Sequence, residues 1–549
     1  MNALLCCAAL LAVHDDTYKA WTAEPVNTTN LPASIGERLS SKQLADLEQG
    51  KPIPPFGDVT TGVRAADGSL WVGSQHGLML LSANAARWRV FHSRRWLPAD
   101  DVRELSVVKP NEVVVITSGG TVRIKQQDMT LDRKMAEIDD NIQKHHLRFG
   151  LVGDVYLKEP GNLAAGYRQH TNDNDGLWTS LYVAAEAFRY GATGDPAAKR
   201  NARAALEALM FLERITGIPG FVARSVLVID DDSWKHGGEW HKSADGKWWW
   251  KGDTSSDEVD GHYFAYSIYH DIAATDEEKK EIAAYVARIT DHIIDHGFYY
   301  VGPSGEPTTW GVWAPEKLNH DLKRLGDRGL NSLEILSHLK VADHITGNPR
   351  YAAAAKELIE KHAYATNTVL QKHTWPVEMT NHSDDELAFT AYYPLVIYER
   401  DPELRTKYMA SLRRTWMVER PEHSPFFNFI YAAGLQANQW TDPLKRPDAG
   451  LVPPEEYDRD ECIEWFREVP QDTTMWGVKN SHRRDVAVTI TNRFKRVRGD
   501  RVLPIAERHV MKWNGDPYQL DHGGDGRARD DGTFILLPYW MGEYRRLLD

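Results

Sequence analysis

A helical hairpin unit recurs along the middle of the chain, and each unit is marked by a short turn that usually ends in proline. The turns are residues 190–196, 344–349 and 399–402, and residues 274–278 fill the same slot without proline. An apolar, aromatic-rich segment precedes each turn, and a segment rich in Ala, Lys, Glu and Arg follows it. Asp or Asn caps a helix and Pro suits its first turn, so each turn predicts the start of a charged helix. A buried helix followed by a charged one, repeated, is typical of an α/α array.

The order of the segments also predicts where a site lies. The buried segment comes first in every pair, so the buried helices must converge on a common axis. Their N-termini then crowd together at one end, where polar side chains can meet. We expect such helices to begin near Asp175, Asp257, Asn331 and Asp385, and a fifth near Pro425. The N-termini of the second and fourth buried helices, near Asp257 and Asp385, should face each other.

Charge and composition exclude two classes of partner. The formal net charge is −13, and binding to nucleic acid needs a basic face, so no nucleic-acid partner is expected. After the first residues, no apolar run is long enough to span a bilayer, so no membrane span is expected. The chain has 19 tryptophans, and these large planar side chains can build a core or stack on sugar rings.

Residues 3–13 form an apolar run, and acids follow at positions 15 and 16. This length suits a signal-peptide core better than a membrane helix, so we expect a secreted or periplasmic protein. A mis-set or truncated N-terminus that forms a buried strand is the alternative, because a basic n-region and a clean cleavage site are missing. Cys6 and Cys7 would leave with the signal, and Cys462 alone can form neither an intrachain disulfide nor a cysteine metal site.

A short β-rich segment precedes the helical region. Asp67-Gly68 predicts a hairpin turn, and alternating apolar segments continue to about residue 125. Residues 68–78 resemble one repeat of the propellers found beside two-component regulators. One repeat cannot close a propeller, so the segment predicts a small β-subdomain packed on the helices.

Acids, histidines and asparagines cluster at the predicted helix starts. Residues 170–178 contain four consecutive Asx residues, more than a helix cap needs. Their spacing is faintly similar to a calcium loop, but Thr171 occupies the first ligand position, so calcium is only an alternative to having no cofactor. In residues 253–263, Glu258 and His262 share a helix face. Such a stripe on a buried helix is costly unless it lines a cavity or forms a satisfied polar layer.

Three later clusters repeat this mixture of acid with His or Asn. Asn331 begins a polar line on an apolar helix, with an acid three residues on and a histidine seven residues on. Residues 378–386 combine a histidine with three acids at a helix start, and residues 422–428 form the fifth cluster. One such cluster could be only a cap, but five at equivalent positions indicate a site.

Two long insertions interrupt the array, over residues 230–253 and 302–319. Long ordered insertions in a regular array are usually functional. The first contains three consecutive tryptophans at 248–250, and the second contains Trp310 and Trp313. We expect Trp310 and Trp313 to lie in a cleft, not in the core.

Over about residues 130–450 the combination resembles the (α/α)-toroid carbohydrate enzymes, which include glycoside hydrolases and polysaccharide lyases. The resemblance implies a mainly α fold: an (α/α)6 or incomplete (α/α) toroid with a small N-terminal β-subdomain and a C-terminal cap. The expected divisions are a signal peptide over 1–15, an extended arm and β-subdomain over 16–130, a catalytic toroid over 131–450, and a C-terminal helix and mixed cap over 451–549.

The resemblance implies either of two reactions on a polysaccharide or oligosaccharide. Hydrolases use two carboxylates, one as acid and one as base or nucleophile. In lyases an Asn or Arg neutralises a uronate while His or Tyr removes the C5 proton. We favour hydrolysis, because carboxylates outnumber basic residues at the helix starts; a non-catalytic glycan-binding scaffold is a further alternative. The candidate catalytic residues are Asp175, Asp257, Glu258, His262, His382, Asp385 and Glu386. The candidate substrate-binding residues are Trp178, Trp250, Tyr263, Trp310, Trp313, Arg328, Asn331, Asn381 and Asn428.

Overall fold

The fold-class prediction of a mainly α protein is wrong. The structure, a computed structural model, describes residues 17–27, 30–230, 235, 237–374, 380–438, 458–491 and 495–549. It is about 45% helical and 23% strand, and its strands form seven small antiparallel sheets, so the chain is a mixed α/β protein. The predicted signal peptide over residues 1–15 lies outside the described residues.

Helices occupy most of the chain after residue 130. The helices are α1 (Ser41–Glu48), α2 (Leu131–Asn141), α3 (Asp175–Thr193), α4 (Pro196–Arg214), α5 (Ser256–Ile272), α6 (Asp276–Asp295), α7 (Pro315–Leu318), α8 (Arg328–Thr346), α9 (Pro349–His362), α10 (Tyr364–Asn367), α11 (Asp385–Tyr398), α12 (Pro402–Glu419), α13 (Pro425–Asn438), α14 (Arg459–Glu468) and α15 (Thr533–Arg545). None of these helices is long and apolar enough to cross a membrane, as judged over the described part of the chain.

The strands are spread over the whole chain. The strands are β1 (Tyr18–Pro25), β2 (Glu37–Arg38), β3 (Val59–Arg64), β4 (Leu70–Ser74), β5 (Gly77–Leu81), β6 (Arg89–Phe91), β7 (Val102–Lys109), β8 (Glu112–Thr117), β9 (Gly120–Met129), β10 (Leu147–Arg148), β11 (Leu151–Val152), β12 (Val155–Glu159), β13 (Asn162–Gln169), β14 (Val226–Val228), β15 (Trp240–Lys242), β16 (Trp248–Lys251), β17 (Tyr299–Val301), β18 (Pro307–Val312), β19 (Thr474–Lys479), β20 (Val488–Thr491), β21 (Val497–Gly499) and β22 (Asp521–Arg529). Two sheets form the N-terminal region, in the orders β2-β3-β4-β5-β6 and β1-β9-β8-β7.

The two N-terminal sheets share one apolar core. Trp71 and Phe91 from the first sheet pack in the same buried cluster as Leu105 and Val115 from the second. The predicted hairpin at Asp67-Gly68 is confirmed: β3 and β4 are antiparallel, and Gly68 has a φ of 88°, which a residue without Cβ adopts at little cost. The propeller-like repeat thus contributes β4 and the start of β5 to a two-sheet unit.

Six helices are buried on nearly every side and pack on one another in a closed succession. Each of α3, α5, α8, α11, α13 and α15 contacts the next, and α15 contacts α3. The predicted starts at Asp175 and Asp385 are confirmed, and those near Asp257 and Asn331 lie in the first turn of their helices. Residues 451–549 were expected to form a C-terminal helix and mixed cap. Within them, α15 packs between α13 and α3, and residues 533–541 are all buried.

The charged helices that follow the turns lie outside this group. α4, α6, α9 and α12 each pack on the buried helix that precedes them in the chain. Asp195, Asn348 and Asp401 cap three of them through side-chain oxygens, with proline next in the chain, while Thr275 forms a capping box at the fourth. These caps satisfy backbone N–H groups that a helix start leaves without intrahelical partners.

Two glycines allow α3 and α5 to approach closely. A Cβ on Gly261 would lie 2.8 Å from the Leu177 Cα and 2.8 Å from the Ser180 Oγ. A Cβ on Gly176 would overlap the Glu258 carboxylate. This contact brings the Glu258 side chain directly under the start of α3.

Gly261→Ala should therefore destabilise the protein, even though Ala is the better helix former. We expect a loss of about 1–2 kcal/mol in the free energy of unfolding, since overpacking typically costs about 1–3 kcal/mol. Urea denaturation measures it. Gly326→Ala is the control, because nothing lies within 4 Å of a Cβ at that position. Equal stability of the two variants would contradict the close α3–α5 packing.

Candidate functional site

Acidic side chains meet where the buried helices begin. They come from the first two turns of α3, α5, α8 and α11 or the residue just before them, from the ends of the chain segments that precede α13 and α15, and from α12. The acids in or near this region are Asp175, Asp257, Glu258, Asp260, Glu334, Asp384, Asp385, Glu386, Glu419, Glu422, Asp530 and Asp531. All except Asp257 and Asp384 are buried, and those two are half-buried.

The central group consists of Asp257, Asp260, Glu334, Asp384 and Glu386, and we call it the acid cluster. Burial, with the Asp257 charge adding to it, raises the pKa of Asp384 to about 6. Burial also raises the pKa of Glu386 to about 8; Lys512 opposes this shift, and Asp257 and Asp260 add to it. The pKa of Glu334 is raised well above its usual range by burial and then by Asp260. With a pKa of about 8, Glu386 holds its proton at neutral pH, and burial shifts the pKa of Glu334 in the same direction.

The base of the acid cluster is tied together by hydrogen bonds. Asp260 accepts from Thr390 Oγ1 at 2.5 Å and lies 3.2 Å from His338 Nε2, which joins α5 to α11 and α8. Glu334 Oε2 accepts from Trp313 Nε1 at 2.9 Å. Glu334 Oε1 and Glu386 Oε1 are buried and have no hydrogen-bond partner among the described residues. Buried carboxyl oxygens without partners are costly, so they mark a place where a ligand or water can bind.

Asp257 and Asp384 form the accessible part of the acid cluster. Asn174 Nδ2 donates to Asp257 Oδ2 at 3.1 Å, and the Asn381 amide donates to Asp384. Arg224 Nη2 in turn donates to Asn174 Oδ1 at 2.8 Å and fixes its orientation. Burial raises the pKa of Asp257, while the charge of Arg224 acts in the opposite direction. The two carboxyl groups are thus held by amides and differ in the charges around them.

Two lysines neutralise the acids on either side of the acid cluster. Lys372 Nζ lies 2.5 Å from Asp385 Oδ1 and 2.9 Å from Glu419 Oε1, and all three side chains are buried. Burial alone would raise the pKa of Glu419, but Lys372 and His382 lower it to about 2. Lys512 Nζ lies 2.8 Å from Asp531 Oδ2.

His382 belongs to the Lys372 group and carries a charge. Its Nδ1 lies 3.3 Å from Asp385 Oδ2 and 3.4 Å from Glu419 Oε2. Burial acts to lower the pKa of His382, but these two carboxylates raise it to about 9. A protonated imidazole cannot accept a proton, so His382 is not a base at neutral pH.

Four other predicted catalytic or binding residues are engaged in holding the fold. Asp175 accepts from Arg148 Nη2 at 2.5 Å and from the Ser225 hydroxyl. Glu258 Oε2 accepts from the Leu177 backbone N–H at 3.2 Å. The remaining pair, His262 and Tyr263, make their hydrogen bonds to groups outside the acid cluster. His262 contacts the carbonyl oxygens of Glu258 and Leu209, and the Tyr263 hydroxyl lies 2.7 Å from Thr290 Oγ1.

The predicted sugar-binding residues divide by exposure. Trp313 is fully buried, so the expectation that it lies in a cleft is wrong, whereas Trp310 is 51% exposed. Trp250 is buried against His241, and Trp178 is half-buried with Lys512 Nζ 4.2 Å from its ring centre. The three other predicted residues bond to the protein itself. Arg328 donates to the carbonyls of Leu318 and Asn319, Asn331 donates to that of Val312, and Asn428 accepts from Trp416 Nε1.

The Asx run at residues 172–175 also bonds to the protein. Lys251 pairs with Asp173, Asn174 bonds to Arg224, Ser255 and Asp257, and Arg148 pairs with Asp175. These partners occupy the oxygens that a calcium ion would need. The structure gives the calcium alternative no support.

Sequence reasoning missed Asp260, Lys372, Glu419 and Lys512 as members of the site. It placed Asp384 and Glu334 in the clusters at the helix starts but did not include them among the candidate catalytic residues. Glu419 ends an outer helix and Lys512 lies in an irregular segment, so nothing local marks either residue. The acid pair Asp530 and Asp531, directly before an apolar run, is the one signal for α15 as a further buried helix.

Comparison with known proteins adds no family. No protein-family model matches the chain, and a search of curated proteins finds no match either.

Lys372→Met should destabilise the protein strongly, because it leaves the buried Asp385 and Glu419 carboxylates without their lysine. We expect a loss of about 3–5 kcal/mol in the free energy of unfolding, on the scale of breaking a buried ion pair. Lys356→Met is the control: its side chain is 71% exposed, and its loss should cost less than about 0.5 kcal/mol. Chemical denaturation at pH 7 gives both values. A Lys372→Met variant as stable as the control would mean that the acids do not depend on this lysine.

Proposed function

We propose that the protein is a glycoside hydrolase in which Asp257 and Asp384 are the paired carboxyl groups. The observation that carries the proposal is the acid cluster. Asp257 from α5 and Asp384 from the start of α11 are half-buried, and the charge of Asp257 contributes to the raised pKa of Asp384. The buried acids Glu334 and Glu386 belong to the same cluster, and each has one oxygen with no hydrogen-bond partner among the described residues. Enzymes that hydrolyse glycosides use such a pair, one group protonated and the other ionised.

The surroundings of each carboxyl group suggest its role. The pKa of Asp384 is raised to about 6, so this group retains a proton at mildly acidic pH and suits the general acid that protonates the leaving glycosidic oxygen. The nearby charge of Arg224 favours ionised Asp257. Asp257 then suits the base that takes a proton from water as the water oxygen bonds to the anomeric carbon. The protons balance, since one is delivered to the leaving group and one is taken from water.

An exposed aromatic surface beside the acid cluster supports a sugar as the substrate. Trp310 lies on β18, and the backbone N–H of the adjacent Thr309 donates to Asp253 Oδ1 at 2.7 Å, just before α5 begins. The Arg324 guanidinium lies 5.8 Å from the Trp310 ring centre and helps to orient it. An exposed indole near the start of α5 suits stacking on a sugar ring near Asp257.

Lyase chemistry has less support. Elimination needs a neutral base, and His382 is held in its charged form by Asp385 and Glu419. His262 and Tyr263 are fully buried, and they contact backbone oxygens and Thr290 respectively. A non-catalytic glycan-binding protein would have the same aromatic surface, but it would not need the protonated acids.

Asp257→Asn and Asp384→Asn test the proposal. On a panel of neutral and uronate polysaccharides and aryl glycosides, the wild type should release reducing ends without an unsaturated product. Each variant should lose at least about a hundredfold in kcat, the scale of a lost general acid or base. Asp276→Asn is the matched control, an exposed acid in the first turn of the outer helix α6, and should keep full activity.

The pH profile and the leaving group identify the general acid. Because Asp384 must be protonated to act, wild-type activity should fall as pH rises through about 6. In Asp384→Asn that alkaline limb should vanish, and an aryl glycoside with a good leaving group should restore most of the rate. An ultraviolet-absorbing unsaturated sugar product would instead favour the lyase, and glycan binding without turnover would favour the scaffold. Full activity of both Asn variants would overturn the assignment of the pair.

A further inference from the structure

A cluster of two histidines and an aspartate lies at the opposite ends of the helices from the acid cluster. His270 and Asp271 are in the last turn of α5, and His344 is in the last turn of α8. Tyr398, the last residue of α11, reaches the same place. Asp257 and Asp271 are 14 residues apart on one helix, about 20 Å at the usual helical rise, so this cluster is separate from the proposed active site.

We infer that His270, Asp271 and His344 bind a divalent transition-metal ion of the Zn²⁺ class. The inference rests on the positions of the ligand atoms. His270 Nδ1 lies 2.7 Å from Asp271 Oδ1, and His344 Nε2 lies 3.0 Å from Asp271 Oδ1 and 3.2 Å from Oδ2. An ion with nitrogen and oxygen ligands at about 2.0–2.2 Å holds neighbouring ligands about 3 Å apart. The ligand atoms therefore already have the spacing of a metal site.

The charges around the cluster favour a cation. Asp271 accepts a hydrogen bond from Tyr398 and lies within hydrogen-bond distance of His270 and His344, so its carboxylate is the anionic centre of the cluster. The C-terminal ends of α5 and α8 add partial negative charge. Among the described residues, no Lys or Arg forms an ion pair with Asp271.

The lack of a Lys or Arg ion pair among the described residues separates this cluster from two other groups of possible ligands. The His382, Asp385 and Glu419 group already contains the Lys372 ammonium, at 2.5 and 2.9 Å from its carboxylates. The Asp154, Asp530 and Asp531 group likewise contains Lys512. In each group the lysine ammonium already neutralises the carboxylates that a metal ion would otherwise neutralise, so we infer no metal ion at either.

Tyr398 orients two of the ligands from outside the site. Its hydroxyl donates to Asp271 Oδ2 at 2.7 Å, and its ring stacks on His344 with centres 3.9 Å apart. Metal ligands are commonly held by such outer hydrogen bonds. The side chains of His344 and Asp271 are 36% and 35% exposed, which leaves room for the ion to enter and for water to complete its coordination. Imidazole ligands favour Zn²⁺ and similar ions over Ca²⁺ or Mg²⁺.

Zinc-dependent stability tests the inference. The untagged full-length chain is stripped with chelator, and its Tm is measured alone, with Zn²⁺ and with Mg²⁺. We expect Zn²⁺ in excess to raise the Tm by several degrees and Mg²⁺ to have little effect, because an ion that binds only the folded state stabilises it by mass action. His344→Ala and Asp271→Asn should weaken Zn²⁺ binding at least tenfold by calorimetry. His320→Ala, an exposed histidine elsewhere, should bind Zn²⁺ like the wild type.

A second measurement covers variants that fold poorly. Co²⁺ bound by imidazole and carboxylate absorbs visible light, so the wild type and His320→Ala should show this absorbance with one equivalent of Co²⁺, and excess Zn²⁺ should abolish it. The more conservative His344→Gln variant should lack it. No Zn²⁺-dependent rise in Tm for the wild type, or an undiminished rise in His344→Ala, would overturn the inference and leave the cluster as a hydrogen-bonded network around Asp271.

Discussion

The arrangement of the site depends on one electrostatic constraint: the buried helices bring more carboxyl groups together than there are cations to neutralise them. Lys372 and Lys512 compensate the groups at either side. The acid cluster between them has neither lysine as an ion-pair partner, so it must keep protons instead, and the raised pKa values of Glu386, Glu334 and Asp384 follow. The proposed acid and base roles are a consequence of this shortage of positive charge.

The fold creates that crowding by packing six apolar helices side by side with their starts at one end. Glycines bring α3 and α5 together so closely that Glu258 sits under the first turn of α3, where it accepts from the Leu177 N–H. A helix start offers unpaired N–H groups and partial positive charge, which favours acids. The opposite ends favour cations for the same reason, and the cluster at Asp271 lies there.

Much of the helical pattern could be predicted from the sequence, because capping residues and apolar periodicity act locally. The starts of α3 and α11 and the Asp67-Gly68 hairpin are of this kind. The mixed α/β class was missed because many strands are short and lie in insertions, such as β15 and β18, or pair across hundreds of residues, as β12 does with β22. No local signal shows such pairing.

The site was partly predictable because the acids at helix starts are a local signal. The acids at helix starts were found, but their roles depend on which partners the fold brings to them. Asp175 resembles Asp257 in sequence context, yet Arg148 and Ser225 engage the first, while the second remains half-buried beside Asn174. Trp310 and Trp313 are three residues apart, and only the fold decides that one is exposed and the other donates to Glu334.

The protonation state of Glu386 tests this account most directly. Infrared difference spectra between the wild type and Glu386→Gln at pH 7 report whether this carboxyl carries a proton. We predict a protonated-carboxyl band that is present in the wild type, absent from Glu386→Gln, and lost as the pH rises through about 8. A wild-type Glu386 that is fully ionised at pH 7 would contradict the claim that the acid cluster keeps protons because it lacks neutralising cations.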